Sequence, residues 1–315
     1  MARVLVTGGG GFLGAAIVEA LASRGDEVMA LDLAIGPRLQ RLAARHPKVE
    51  IAAGEITEWP HLAHAMAAWR PDKVVHCAAV VGVPASVGAP IATLRVNLEG
   101  TLNLFEAMRL FGVRRVVNLS SEEVYGPFGA PVIDEEHPCR PLMAYGISKL
   151  AVEHLGRSYG RLYGLECINV RTCWVYGPDL PRPRVPKILV DAALEGRPLH
   201  LPAGGDFRVD HVYVADTVQG VLLALDKEQH AFDVYNIATG QAPSLAEIVA
   251  IVKEIVPGAA LSVGPGDYQF DERVGPVQKG ALDIRRAREH LGYRPRYDIR
   301  QGLAATIEAR RKAAD

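Results

Sequence analysis

The chain has 315 residues, of which 49% are hydrophobic and 23% charged, the profile of a globular protein of one or two domains. Its formal net charge is -1, so no basic excess is available to neutralise a phosphate backbone, which argues against nucleic acid as a partner. No stretch approaches the roughly 18 apolar residues of a membrane span. The N-terminus lacks the apolar core and cleavage site of a signal peptide. These features predict a cytoplasmic protein with no membrane partner.

Short β-branched runs alternate with longer amphipathic runs from the start of the chain. RVLVT predicts a strand, GFLGAAIVEALASRG a helix and EVMALD a second strand. KVEIAAG, KVVHCAA, RRVVNLSS and LECINVRT repeat the strand pattern. Apolar strands that alternate with helices predict a parallel sheet covered on both faces. The expected fold class is therefore α/β, with a doubly wound parallel sheet whose ligands bind beyond the carboxyl ends of the strands.

The pattern changes after about residue 176. The segment GPDLPRPRVPK is rich in proline and indicates a loop, and the helices that follow do not form regular strand–helix units. We therefore expect a cofactor domain over residues 1–175 and a smaller, irregular C-terminal substrate lobe over 176–315. The segment at about 209–238 is predicted to rejoin the first domain.

A glycine-rich turn follows the first predicted strand directly. VTGGGGFLG places Gly8, Gly11 and Gly14 where a helix begins, with Phe12 and Leu13 between the last two. Glycine lets the backbone approach a pyrophosphate closely, and the helix N-terminus offers free N–H groups. By themselves the glycines could mark an ordinary tight turn.

The second predicted strand ends in Asp32, about 20 residues further on. A carboxylate at this position can accept hydrogen bonds from both ribose hydroxyls of a dinucleotide. It also repels a 2′-phosphate, and no Arg or Lys follows until Arg38. The predicted cofactor is therefore NAD rather than NADP.

The motif YGISK sets Tyr145 and Lys149 four residues apart at the start of a predicted helix, on one face. An ammonium beside a phenol favours the phenolate, which can take a proton from a substrate hydroxyl. A surface helix is the alternative for this pair alone; the glycine turn and Asp32 favour the catalytic interpretation.

At this point the chain resembles the extended short-chain dehydrogenase/reductases, specifically the NAD-dependent epimerase/dehydratase family, which has a Rossmann fold. The resemblance runs nearly end to end and is carried by TGGGGFLG, HCAA, NLEGT, SSEEVYG, YGISK, VYGPD, RVGPV and HLGYRPRYDIRQGL. It implies an NAD-dependent enzyme that acts on a nucleotide sugar. It also implies a homodimer formed by the helices predicted at residues 91–112 and 145–164.

The resemblance implies a role for each matching position. On the cofactor side, Glu55 and Ile56 would lie against the adenine, the backbone of Ala78 and Ala79 would line the cofactor, and Asn97 would steady this region. Ser121 would hydrogen-bond the reacting oxygen, Tyr145 would be the base, and Lys149 would bind the nicotinamide ribose. Arg273 would hold a substrate pyrophosphate.

Glu122 and Glu123 follow Ser121 at the end of a predicted strand, where this type of sheet binds ligands. The resemblance to dehydratases implies an acid and a base at these two positions, with Glu123 facing the substrate and the role of Glu122 open. Solvated loop residues are the alternative, since charged side chains are mostly exposed.

Two departures from the family pattern bear on the substrate. The chain reads RTCWVYGP where sugar-nucleotide enzymes tend to read RPFNVYGP, so Trp174 replaces an asparagine that contacts the substrate. Arg208 lies one residue from the position expected for a substrate-binding arginine.

Three functions therefore stay open: a nucleotide-sugar epimerase or dehydratase, an NAD-dependent dehydrogenase of a smaller alcohol or sugar acid, and a non-catalytic NAD-binding protein. The four cysteines, at positions 77, 139, 167 and 173, lack metal-ligand spacing, so no metal site is predicted.

Overall fold

The computed structural model describes residues 1–269 and 274–314. The chain forms two compact units. Unit 1 comprises Met1–Gly126, Pro138–Arg171 and Val218–Tyr235, and unit 2 comprises Pro127–His137, Thr172–Thr217 and Asn236–Asp315. From the sequence, the second domain was expected to begin after residue 175, and the segment at about 209–238 was expected to rejoin the first. The assignment of residues 127–137 to unit 2 was not expected.

The strands, in chain order, are β1 (Arg3–Thr7), β2 (Glu27–Asp32), β3 (Val49–Ala53), β4 (Lys73–His76), β5 (Arg115–Ser121), β6 (Val132–Ile133), β7 (Glu166–Thr172), β8 (Trp174–Tyr176), β9 (Leu199–Leu201), β10 (His211–Tyr213), β11 (Val234–Ile237), β12 (Leu261–Val263) and β13 (Ala281–Leu282). The α-helices are α1 (Phe12–Ser23), α2 (Pro37–Arg45), α3 (Trp59–Trp69), α4 (Val83–Gly88), α5 (Pro90–Leu94), α6 (Gly100–Phe111), α7 (Ala144–Tyr163), α8 (Lys187–Leu194), α9 (Val214–Asp226), α10 (Leu245–Ile255), α11 (Arg285–Leu291) and α12 (Ile299–Ala314). A π-helical turn spans Arg95–Glu99, and a 3-10 turn spans Glu122–Val124.

Unit 1 is built on a seven-stranded parallel sheet in the order β11-β7-β5-β4-β1-β2-β3. The central strands are continuous apolar runs, and Val4, Leu5 and Val6 of β1 are fully buried, as expected for a sheet covered on both faces. The strand order reverses beside β1, where Thr7 lies opposite His76 of β4. Ligands of doubly wound sheets bind at the carboxyl ends of the strands on either side of such a reversal. The predicted fold class is confirmed.

Among its described residues, unit 2 contains three two-stranded sheets, which pair β8 with β10, β9 with β12, and β6 with β13. Its core includes buried apolar side chains of α8, α10 and α12, together with Trp174 and Phe207. None of the helices in the described part of the chain is long and apolar enough to cross a membrane.

Candidate active site

The glycine turn after β1 is shaped by close contacts that no larger residue would fit. Gly8 has a φ of +70°, and a Cβ there would lie 2.6 Å from the backbone nitrogen of Ala78. A Cβ on Gly14 would lie 2.0 Å from the Gly8 carbonyl oxygen. Helix α1 begins at Phe12 after the N-cap Gly11, which has no side chain to occupy the first-turn amides. These amides and the positive end of the helix dipole are arranged to hold an anion such as a pyrophosphate.

Asp32 is fixed at the end of β2 by hydrogen bonds from the backbone. Its Oδ2 accepts from the Gly10 amide at 2.9 Å, and its Oδ1 accepts from the Ala34 amide at 3.1 Å. The carboxylate is thereby tied to the glycine turn and stays half-exposed, as a ribose diol would require. Arg38 of α2 donates to the Phe12 carbonyl at 3.3 Å, so a guanidinium also lies near this turn.

Asn97 lies in the π-helical turn and ties the loop after β4 to α7. Its Oδ1 accepts from the Val80 amide at 2.8 Å, and its Nδ2 donates to the Val80 carbonyl at 3.1 Å. The same Nδ2 donates to the Ser148 Oγ at 2.9 Å, and this hydroxyl donates to the Tyr145 carbonyl at 2.7 Å. Isolated π turns often occur at functional sites. Here the turn directs Asn97 toward the loop that contains Ala78 and Ala79.

Glu55 and Ile56 follow β3, as a contact with an adenine would require. The Ile56 side chain is buried against α6, where a Cβ on Gly100 would lie 2.6 Å from it. Its carbonyl accepts from Asn103 at 3.2 Å. The Glu55 amide donates to the His61 Nδ1 at 3.0 Å. The side chain of Ile56 is therefore part of the core of unit 1.

Tyr145 and Lys149 are both buried on α7. The Lys149 Nζ donates to the Leu119 carbonyl of β5 at 2.6 Å and lies 5.8 Å from the centroid of the Tyr145 ring. An ammonium has three N–H donors, so the bond to Leu119 does not exhaust them. Burial lowers the pKa of Lys149 to about 8, and the nearby carboxylate of Glu153 acts in the opposite direction. The Lys149 ammonium thus lies near the ring of the Tyr145 phenol, which is the arrangement that the sequence predicts.

The 3-10 turn with the two glutamates lies directly against the start of α7. A Cβ on Gly146 would lie 2.4 Å from the Glu123 carbonyl oxygen, so the helix and the turn approach at backbone distance. Ser121 caps the turn, since its Oγ accepts from the Glu123 amide at 3.2 Å. Glu122 is 2% exposed, whereas Glu123 is half-exposed. The adjacent acids therefore differ in environment, and Glu122 is not a solvated loop residue.

Two of the predicted substrate residues, Trp174 and Arg208, lie in unit 2. Trp174 is buried, with its ring centroid 5.6 Å from that of Phe207 and 5.4 Å from that of His211. The Arg184 guanidinium lies 5.0 Å from the indole centroid. With Val185, Leu245 and Tyr268, the three rings line a small pocket. Burial, then Arg184, lowers the pKa of His211 to about 3, so the ring is neutral.

The two predicted substrate arginines have different outcomes. Arg208 forms an exposed ion pair with Glu247 at 3.1 Å and donates to the Ala242 carbonyl, so its guanidinium is engaged with α10. Arg273 lies outside the described residues, and its predicted role stays a prediction.

Two polar residues close to Tyr145 and Lys149 were not predicted from the sequence. Ser148 links Asn97 to Tyr145, and Glu153 is completely buried one helical turn beyond Lys149. The spacing of Tyr145, Lys149 and Glu153, each four residues apart, was a signal that all three share one helix face. In the described part of the chain, no three potential ligands group around a possible metal, and all four cysteines are free thiols.

Comparison with known proteins identifies the class to which this geometry belongs. A model of the NAD dependent epimerase/dehydratase family matches residues 4–238. The UDP-glucose 4-epimerase of Mycolicibacterium smegmatis is 33% identical over 97% of this chain and 97% of its own length. The dTDP-glucose 4,6-dehydratase of an Actinoplanes species is 32% identical over 97% of this chain and 96% of its own length.

A solved structure extends the likeness to the whole fold. The UDP-glucose 4-epimerase of Thermus thermophilus, in complex with NAD, is 34% identical, with a TM-score of 0.85 and coverage of 99% of each chain. The glycine turn, the N-terminus of α1 and the fixed carboxylate of Asp32 are the groups that such a dinucleotide needs. The chain therefore belongs to the NAD-dependent epimerase/dehydratase family.

Proposed function

We propose that the chain is an NAD-dependent nucleotide-sugar epimerase or dehydratase that works through a transient 4-keto sugar. The observation that carries the proposal is the arrangement at the start of α7. Tyr145 and Lys149 are buried there against the turn formed by Ser121, Glu122 and Glu123. The glycine turn and Asp32 belong to the same unit. Relatives with both activities match nearly the whole chain.

The first step is oxidation of C4 of the sugar to a ketone, which removes a hydride from C4 and a proton from the C4 hydroxyl. Bound NAD supplies the acceptor for the hydride from C4. Tyr145 takes the proton of the C4 hydroxyl, and the Ser121 hydroxyl hydrogen-bonds the same oxygen. Lys149 is mostly protonated at neutral pH, since its pKa is about 8, and its charge stabilises the phenolate form of Tyr145.

The two glutamates have a role in only one of the two reactions that can follow oxidation of C4. Once C4 is a ketone, the proton on C5 is acidic. In an elimination Glu123 removes this proton, Glu122 protonates the departing C6 hydroxyl, and water is lost. The hydride then returns to C6 of the resulting double bond and a proton returns to C5. In an epimerisation the ketone is reduced from its other face, and the C5 hydrogen stays in place.

Deuterium exchange distinguishes these two reactions. Glu123→Gln and Glu122→Gln variants are assayed with the unmutated protein in deuterated water, with turnover and deuterium at C5 both measured. Loss of turnover and of exchange in Glu123→Gln supports elimination. If turnover falls in Glu123→Gln but the unmutated protein never exchanges the C5 hydrogen, elimination is excluded, and epimerisation or simple dehydrogenation is left. Unchanged turnover in Glu123→Gln refutes the role of Glu123.

The reaction class is tested by incubating the protein with UDP-, dTDP- and GDP-sugars. An epimerase or dehydratase forms a new sugar nucleotide with no net NADH, because the hydride returns to the sugar. A non-catalytic NAD-binding protein forms no product. Absence of product with every sugar nucleotide refutes the proposed function.

Trp174 favours a second candidate, an NAD-dependent dehydrogenase of a smaller alcohol or sugar acid. An indole donates one hydrogen bond, and this one is buried among the rings of unit 2, so it offers less to a phosphate than an asparagine would. Net NADH formation with a small alcohol or sugar acid, and no product from sugar nucleotides, would establish this candidate.

A homodimer is the proposed assembly. Leu110 and Phe111 at the end of α6, and Leu162 and Tyr163 at the end of α7, are exposed large apolar side chains. Leu110→Glu with Leu162→Glu should convert a dimer to a monomer in analytical ultracentrifugation, and Leu33→Glu, at another exposed position, is the control. A monomeric unmutated protein refutes the dimer.

The cytoplasmic location stays a prediction, which cell fractionation tests.

A further inference from the structure

A completely buried carboxylate lies behind the catalytic pair. Glu153 is 0% exposed on α7, on the same helix face as Tyr145 and Lys149. Burying a charge is costly unless it is paired and hydrogen-bonded. An apolar residue would pack a helix against a sheet at no such cost, so the position of this charge requires an explanation.

Glu153 is held by groups from two neighbouring strands. From β7, the Arg171 Nε donates to Oε1 at 3.0 Å, and its Nη2 donates to Oε2 at 2.7 Å. This two-bond geometry fixes orientation as well as distance, and Arg171 is itself 3% exposed. From β5, the Ser120 Oγ donates to Oε1 at 2.6 Å. The carboxylate thus joins α7 to both strands.

The bond from Ser120 lies next to the bond that holds Lys149. Leu119 accepts from Lys149 through its carbonyl at 2.6 Å, and Ser120 donates to Glu153 at 2.6 Å. Consecutive residues of β5 are therefore bonded to side chains one turn apart on α7. Two such bonds fix both the rotation of the helix and its position along its axis. Ser121, the next residue of the strand, is thereby set relative to Tyr145.

Arg171 also reaches the acidic turn. Its guanidinium carbon lies 4.7 Å from the centroid of the buried Tyr125 ring. The Tyr125 amide donates to the Glu122 carbonyl at 3.0 Å, so this ring stands at the end of the turn that contains the two glutamates. One guanidinium thus contacts both elements that contribute catalytic side chains.

We propose that Glu153, held by Arg171 and Ser120, is a positioning residue that aligns the Tyr145–Lys149 face of α7 with Ser121 and the acidic turn. The proposal rests on the proposed function, because those residues are the ones assigned there to the reaction. Misplacement of reacting groups by about 1 Å can lower a rate by roughly 100-fold. Loss of alignment should therefore lower kcat and leave ground-state binding nearly unchanged.

The first test is Ser120→Ala, which removes one hydrogen bond and changes no charge. We expect kcat per NAD-binding site to fall by about tenfold, a fraction of the loss that full misplacement causes. KM and NAD affinity should change by less than about twofold. Glu166→Gln is a control for loss of a link between β5 and β7, because Arg115 donates to the Glu166 carboxylate at 2.6 Å where both strands begin. It should leave kcat unchanged even though it also removes a charge. A Ser120→Ala variant whose kcat equals that of the unmutated protein overturns the proposal.

The second test separates alignment from stability. Glu153→Gln leaves the buried Arg171 without its counter-charge and should lower both the melting temperature and kcat. In the double variant Glu153→Leu with Arg171→Met, apolar packing should restore the melting temperature, while kcat stays at least about tenfold low. If kcat recovers together with stability, the pair is merely structural and the proposal is wrong.

The kcat of each variant is compared with that of the unmutated protein, on whichever substrate the unmutated protein converts. The alignment proposal can therefore be tested even if that substrate is not a sugar nucleotide and the proposed function is wrong. If the unmutated protein converts no substrate at all, crystal structures decide. A double variant in which Lys149 still donates to Leu119 at its original distance overturns the proposal, and a broken or lengthened bond supports it.

Discussion

Replacement of Lys149 by methionine should make the protein more stable and nearly inactive. The ammonium is buried, and burial lowers its pKa from 10.5 to about 8. At about 1.4 kcal/mol for each pKa unit, holding this charge in the folded state costs roughly 3 kcal/mol at neutral pH. Loss of the hydrogen bond to the Leu119 carbonyl offsets about 1 kcal/mol of the gain. Lys149→Met should therefore raise the free energy of unfolding by roughly 2 kcal/mol at pH 7.

The pH dependence gives this prediction a specific signature. Below pH 8 the lysine is protonated in both states, and the full cost is present. Between pH 8 and 10.5 the unfolded state binds the proton more tightly, so the stability of the unmutated protein rises with pH. The advantage of Lys149→Met should shrink over this range and reverse above it, because only the loss of the hydrogen bond, about 1 kcal/mol, then remains. Over the same range, kcat/KM of the unmutated protein should fall as Lys149 loses its charge.

Urea denaturation at pH 7 and pH 10, followed by circular dichroism without added NAD, measures both effects. Lys73→Met is the matched control, because the Lys73 ammonium also donates to a backbone carbonyl, that of Leu225 at 3.0 Å, but is partly exposed. It should lose stability at both pH values. A Lys149→Met variant that unfolds at lower urea than the unmutated protein at pH 7 would refute the reasoning, as would one with unchanged turnover.

Three further substitutions test the cofactor site and the base. Tyr145→Phe should keep NAD affinity near that of the unmutated protein and lower turnover by about two to four decades; full activity would remove Tyr145 from the mechanism. Asp32→Ala should narrow the preference for NAD over NADP in calorimetry, because the repelling carboxylate is gone and Arg38 remains near the turn; equal affinities before mutation would contradict this role. Gly14→Ala should abolish NAD binding, because its Cβ would lie 2.0 Å from the Gly8 carbonyl oxygen, whereas a Cβ on Gly36 would meet nothing within 4 Å, which makes Gly36→Ala the control.

The features that the sequence predicts well are those determined by neighbouring residues. The buried strands are continuous apolar runs, so the positions of β1 and β2 could be predicted from the sequence alone. The glycine turn could be placed as well, since its glycines are needed within one short segment. The spacing of Tyr145 and Lys149 on a helix required no more than the helical repeat.

Features that depend on distant contacts could not be predicted. Residues 91–112 read as one helix, but the structure divides them into α5, the π-helical turn and α6, with Asn97 bonded to Val80 and Ser148. Glu122 is 2% exposed and Glu123 is half-exposed, a difference that their adjacent positions in the sequence do not indicate. These outcomes follow from tertiary packing, which overrides local pattern.

Helix α7 carries ionisable side chains on its buried face. A helix that packs on a sheet normally buries an apolar face, yet this one buries Tyr145, Lys149 and Glu153. Each ionisable side chain there must be paired or bonded to the sheet, because an unpaired charge would destabilise the fold. Lys149 is bonded to Leu119, and Glu153 to Arg171. In the proposed mechanism, catalysis accounts for the tyrosine and the lysine, and the proposed alignment of these residues with β5 accounts for the glutamate that follows one turn later.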